Sequence, residues 1–143
     1  MTQKAFFESL GAPLVNARWS WGAVRGADGV ILLRVWQDNV RTYENKQFVR
    51  ILRGISNRSG PNEHGRRERV EHVDRIRSGA QCYLIMCEAE DTTARPRRVR
   101  RFNAKEVFPG GAVRQIDDDL WVELLPSLSV EEFASRGQTT NKQ

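Results

Sequence analysis

Apolar and polar positions alternate most cleanly in the stretch VILLRVWQD, residues 30–38. Ile31, Leu33 and Val35 fall on one side, and Arg34, Trp36 and Asp38 on the other, as in a strand with one face turned from the core. The preceding RWSWGAV, residues 18–24, reads as a partner strand with Trp19, Trp21 and Ala23 on one face. The turn Arg25-Gly26-Ala27-Asp28-Gly29 joins the two arms into a hairpin. Phe48 to Arg53 alternates as a third strand. Thr2 to Leu10 has the marks of a helix, with Thr2 as its cap and Gly11 followed by Pro13 as its stop. Val70, Val73 and Ile76 repeat at a spacing of three and predict a second helix over Arg66 to Ser78, ended by Ser78-Gly79. QCYLIMCE, residues 81–88, is apolar nearly throughout and predicts a strand buried on both faces.

Arg97 to Phe102 is the next strand. Ala112 to Ile116 and Leu120 to Leu125 form a second hairpin around Asp117-Asp118-Asp119, and Ser129 to Ser135 a short last helix. The joining segments read as irregular: Asp38 to Lys46, the Ser/Asn/Gly/Pro-rich Gly54 to Gly65, Ala89 to Pro96, and Asn103 to Gly111 with a turn of helix. The element order predicts an α+β fold, with a bent, mostly antiparallel sheet or barrel-like sheet and helices at its side. Repeated βαβ alternation, which a doubly wound sheet requires, is absent. One domain is expected over 1–136, with a disordered tail over 137–143.

Charge sharpens this outline. The chain of 143 residues carries a net +5, and the excess is local. Residues 41–101 hold 15 basic and 8 acidic side chains, whereas 102–143 hold 4 basic and 7 acidic. Nearly all of the central positive charge is arginine, which suits bidentate phosphate recognition better than lysine does. That distribution favours a polyanion, nucleic acid first; an arginine-rich solvated face is the plain alternative. No apolar run approaches the length of a membrane span. The first residues lack the apolar stretch and cleavage site of a signal peptide. Cys82 and Cys87 lie on opposite faces of one strand and are expected to be buried free thiols, which fits a reducing, cytoplasmic setting.

Catalytic and metal motifs are missing. His64 and His72 have no cysteine pair at zinc spacing, and PNEH at 61–64 has too few metal-binding partners for a nuclease motif. No phosphate-binding glycine loop or nucleophile elbow occurs. The expectation is therefore no catalytic residue, no metal and no cofactor. The three aspartates at 117–119 suit a turn. Two basic segments remain. RPRRVRR, 95–101, predicts an edge strand whose arginines, Arg97, Arg98 and Arg100 among them, reach solvent or a phosphate backbone. Arg66, Arg67 and Arg69 are expected in the first turn of their helix, where ordinary helices prefer acidic residues. Pairing with Glu71 and Asp74 is the plain alternative for those three. An indole beside a carboxylate, as at Trp36 and Asp38, is what a pocket for a flat, hydrogen-bonding ring needs; Trp36 packed under a helix, with Arg34 and Asp38 paired, is the alternative.

RWSWG at 18–22, VWQD at 35–38, RRERVEHVDRIRSGA at 66–80 and FNAKEVFPGG at 102–111 resemble a bacterial domain found alone or attached to HNH nucleases. That family is associated with recognising 5-methylcytosine in DNA, as in modification-dependent restriction. The resemblance covers roughly residues 5 to 125. By analogy with other modified-base readers (SRA, EVE and YTH domains), it implies a PUA-like open barrel and a flipped base held in an aromatic pocket. It implies double-stranded DNA containing 5-methylcytosine as the partner. Trp36 and Asp38, with Trp21 or Tyr43, would hold the base, and Arg66, Arg67, Arg69, Arg97, Arg98 and Arg100 the DNA backbone. This chain has no HNH motif, so any nuclease would be a separate protein. Two alternatives stay open: an RNA-binding module of PUA-like type, and a small nuclease using His64 or His72.

Overall fold

A computed structural model of the chain describes residues 1–56 and 63–141. Helix α1 (Gln3–Ser9) starts where expected, with the Thr2 hydroxyl accepting from the Ala5 N–H at 3.0 Å. Gly11 follows it at φ +75°, a left-handed conformation that suits glycine. The first hairpin also forms: β1 (Gly22–Val24) pairs antiparallel with β2 (Ile31–Trp36). Its first arm is shorter than predicted. Residues 18–21 leave the strand because Ser20 closes a turn on Asn16 and donates its hydroxyl to Glu68 at 3.0 Å. Trp19 and Trp21 therefore do not share a strand face.

After β2 the chain makes a 3-10 turn (Gln37–Asn39) and enters β3 (Val40–Tyr43), a strand where a loop is predicted, which forms a hairpin with β4 (Lys46–Leu52), the expected third strand. Glu44 and Asn45 both take positive φ, 52° and 66°, as a two-residue hairpin turn requires. The turn has no glycine and β3 is polar and mostly exposed, so neither standard signal was present. Half of the predicted Gly54–Gly65 loop, residues 57–62, lies outside the described residues.

Helix α2 (Glu63–Arg77) begins three residues before the predicted start and buries Val73 and Ile76. Strand β5 (Cys82–Ala89) is buried on both faces, as its composition demanded, and Cys82 and Cys87 are buried free thiols, each pushed up to about 11 by burial. β6 (Val99–Phe102) pairs only with β5 among the described strands. The 103–111 connection is instead the first half of an eleven-residue strand, β7 (Glu106–Ile116). Pro109-Gly110-Gly111, which reads as a turn, marks a bulge where β7 passes from β5 to β8 (Asp119–Leu124). A Cβ on Gly110 would lie 2.3 Å from Cys82 Sγ, so the close approach requires glycine.

β9 (Leu128–Ser129) leads into α3 (Val130–Asn141), which continues into the predicted tail. Glu131 and Glu132 favour its N-terminus and buried Phe133 anchors it. Gly137 and the threonines after it gave the opposite signal in sequence.

The strands form one mixed, mostly antiparallel sheet in the order β1-β2-β5-β7-β8-β4-β3, with β6 on β5 and β9 on β7. The path does not close, so the architecture is α+β with a bent open sheet rather than a sealed barrel. β2 runs parallel to β5, and both are buried on two sides. One core lies between β2, β4, β8 and α2, with Leu33, Val49, Ile51, Val73 and Val122 inside. The other lies under α1 and α3, with Phe6, Phe7, Leu32, Ile85 and Phe133. No helix among the described residues is long and apolar enough to cross a membrane.

Candidate nucleic-acid interface

The ends of β2 and β4 meet the first turns of α2 at one site. A cavity of about 580 Å³ opens there. Trp21 and Trp36 form one wall, with ring centroids 5.2 Å apart and planes tilted by 54°. Trp36 is the last residue of β2 and the only one of that strand not fully buried, which gives it a face toward the cavity. Ile51, Leu52, Gly54 and the 95–97 segment also line it.

Arg34 corrects the simple two-face reading of β2. It is 7% exposed, lying on the same side as Leu32 and covered by α1. Its guanidinium donates to the Gln3 side chain and the Ser20 carbonyl and sits 4.2 Å from the Trp21 ring centroid. It fixes the first tryptophan by cation–π contact and does not pair with Asp38.

Asp38 lies in the 3-10 turn beside Trp36 and does not line the cavity. Both its oxygens accept from Arg97, at 2.7 and 2.8 Å. Hydrogen bonding from Arg97 holds this carboxyl below the usual carboxylate range, against a partial desolvation that pushes the other way. Arg97 also stands 5.3 Å from the Trp36 ring centroid, so it spans the aromatic wall and the carboxylate together. Tyr43 is not part of the cavity. It ends β3, 42% exposed, edge-on to Phe48 and 4.9 Å from the Arg114 guanidinium. The unpredicted β3–β4 hairpin carries it away from the tryptophans.

The α2 arginines divide. With α2 starting at Glu63, Arg66 closes the first turn and Arg69 lies in the second, and both donate to carbonyls of the strands and the segment after them. Arg69 donates to the carbonyls of Ile51 at 2.7 Å, Arg34 at 2.7 Å and Trp21 at 3.1 Å. Burial, with Arg34 nearby, lowers its pKa to about 10. It is a staple between helix and strands, with three of its five N–H donors committed to backbone carbonyls. Arg66 is less committed: it donates to the carbonyls of Arg53 and Gly54 at 2.7 and 2.5 Å while lining the cavity. Arg67 is exposed and forms no ion pair among the described residues. None of the three pairs with Glu71 or Asp74.

In the 95–101 segment, Arg97 reaches the cavity and Arg98 is exposed outside it. Arg100 and Arg101 stand 3.7 and 3.3 Å from Glu88 across the β5–β6 pair. Sequence reading missed Arg34, Arg50, Arg53 and Arg95 as cavity residues. Arg34 had a usable signal, a lone cation inside the apolar run ILLRVW. Arg50 and Arg53 had none beyond their place on β4 and at its end.

The histidines are far apart in character. His64 is exposed and lies against Trp19, with centroids 5.5 Å apart. His72 is buried, and burial lowers its pKa to about 4, with Arg69 adding to the effect. No group of three His, Cys, Asp or Glu among the described residues could hold a metal ion. The aspartate run works as a turn and a clamp: Asp117 takes φ 56°, Asp118 accepts from Ser56, and Asp119 accepts from Gly54 N–H at 2.8 Å. These bonds hold the segment leaving β4 at the cavity edge. Comparison with protein-family models, curated proteins and solved structures finds no match to this chain.

Proposed function

We propose that the chain is a DNA-binding domain that recognises 5-methylcytosine by taking the flipped base into the cavity beside Trp36. One observation carries the reading: a cavity large enough for a base has a two-tryptophan wall and an arginine-rich rim. Aromatic stacking contributes roughly 1–3 kcal/mol per base, against a flipping cost of a few kcal/mol. The remainder is supplied by phosphate contacts from Arg67, Arg98 and Arg100, which are exposed. The open, bent sheet and the resemblance of RWSWG, VWQD and FNAKEVFPGG to modified-base readers support a PUA-like architecture for the same reason.

In this reading Arg97 is the residue that moves. A base stacking on Trp36 displaces its guanidinium from the ring, and a DNA phosphate receives it. Asp38 is then free to accept from the cytosine amino group. Titration of matched duplexes with and without 5-methylcytosine, and of the same sequence as RNA, tests the reading. Tighter binding to the methylated duplex is expected. Equal affinity for methylated and plain DNA overturns it, and preference for RNA transfers the cavity to an RNA-binding module.

A further inference from the structure

The cavity has an excess of positive charge that base stacking does not use. Among the described residues seven of the sixteen that line it are arginines, and none is a carboxylate. The carboxylates beside its lining residues are already engaged: Asp38 by Arg97, Asp119 by the Gly54 N–H at 2.8 Å and by Arg50 at 3.6 Å, and Glu68 by the Ser20 hydroxyl at 3.0 Å. Arg34 and Arg69 line the cavity with terminal N–H groups bonded to protein acceptors, while the buried Nε of each has no partner among the described residues. The rim is different. Arg53 is exposed and its guanidinium has no partner among the described residues. Arg66 lies against the Arg53 carbonyl and keeps further N–H donors after its two backbone bonds. Arg50 is partly exposed, and the charges of Arg53 and Arg97 both bear on it unfavourably. Like charges gathered around a concave, partly desolvated space are relieved by an anion, and guanidinium forks match phosphate oxygens.

We propose that Arg50, Arg53 and Arg66 form a phosphate subsite at the cavity rim, which takes the phosphate of the same nucleotide whose base stacks on Trp36. The inference rests on the reading of the cavity as a base pocket. It makes the unit of recognition a nucleotide rather than a bare base, so a single monophosphate is a ligand without any duplex around it.

The test titrates the full chain, by calorimetry and by tryptophan fluorescence, with 5-methyl-2′-deoxycytidine, its 5′-monophosphate, 2′-deoxycytidine 5′-monophosphate and inorganic phosphate. A fifth probe, 5-carboxy-2′-deoxycytidine, places the negative charge on the base. The methylated monophosphate is expected to bind at least about 10-fold tighter than its nucleoside at low salt, with the gain shrinking as salt rises. Arg53→Ala, an exposed position, and Arg50→Gln are each expected to remove most of that gain, read as the ratio of monophosphate to nucleoside affinity within the same variant. Equal binding of nucleoside and monophosphate overturns the subsite, as does a gain that survives both substitutions. Carboxylated nucleoside binding as tightly as the monophosphate, with loss in the same variants, overturns the assignment to phosphate and places the anion on the base. Plain and methylated monophosphates binding equally, both far above the nucleosides, defeats the methylcytosine reading and leaves the subsite standing. Methyl discrimination without a phosphate gain does the reverse.

Discussion

Arg69 and Arg98 come from two basic runs that look alike in sequence, and the fold uses them in opposite ways. Arg69 is half-buried between α2 and the strands, with three backbone carbonyls as its acceptors. Arg98 is exposed just before β6, and no hydrogen bond or ion pair of its side chain forms among the described residues. A buried guanidinium surrounded by carbonyls is structural, because its charge is stabilised only by the geometry of the folded chain. An exposed one contributes little to the fold and is available to a polyanion. Arginine density alone does not separate the two. What separates them is whether strand ends with unpaired carbonyls lie within reach.

The largest expected effect tests the interior half of this contrast. Arg69→Ala leaves three carbonyls without their charged donor and opens space beneath α2, so a loss of about 2–4 kcal/mol of folding stability is expected. Urea denaturation measures it, and a variant as stable as the parent would break the distinction. His72, beside Arg69, sharpens the same point through pH. The unfolded chain binds a proton on this histidine below about 6.5, while the native chain holds it neutral until about 4. More protons bound to the unfolded state means that stability rises with pH. The contribution is complete above pH 6.5 and lost as pH falls toward 4, by roughly 2 kcal/mol after allowing for solvent screening. His72→Gln should flatten the stability profile between those limits, and an unchanged slope would assign it to other groups.

Trp36 stands at the border between the interior and the surface. Trp36→Ala should weaken binding of methylated duplex by roughly 1–3 kcal/mol while circular dichroism stays native. Unfolding would make it a core residue instead. The smallest effect belongs to the exterior. Arg98→Ala should leave stability unchanged, weaken methylated and plain DNA equally, and reduce the salt slope by about one. A loss confined to methylated DNA would place Arg98 at the base and not at the backbone.

Strong periodicity and ordinary punctuation made the first hairpin, α1, α2, β5 and the 112–125 hairpin legible in the sequence. β3 was hidden because an exposed edge strand needs no apolar face and its Glu-Asn turn needs no glycine. β7 was hidden because Pro109-Gly110-Gly111 serves a change of strand partner, which single-strand patterns do not encode. The site was half legible. Alternation singled out Trp36, which lines the cavity, and set Arg34 opposite Val35. It could not reveal that α1 covers the Arg34 side, that Arg97 arrives from 59 residues away to hold Asp38, or that Tyr43 is carried off on its own hairpin. Alternation states which side of a strand a residue takes, and only the neighbouring elements decide whether that side is wet.

The parallel pairing of β2 with β5 has a kinetic consequence. Ile31 sits opposite Cys82, and everything between them, including β3, β4 and α2, belongs to the loop that this pairing must close. Closing long loops before long-range contacts can compensate slows folding. A nascent chain that ends before Cys82 has made β2 with no strand to lie against on its β5 side. The central strand pair is therefore assembled late during synthesis, and the tryptophan wall at the tip of β2 acquires its final shape only after that step.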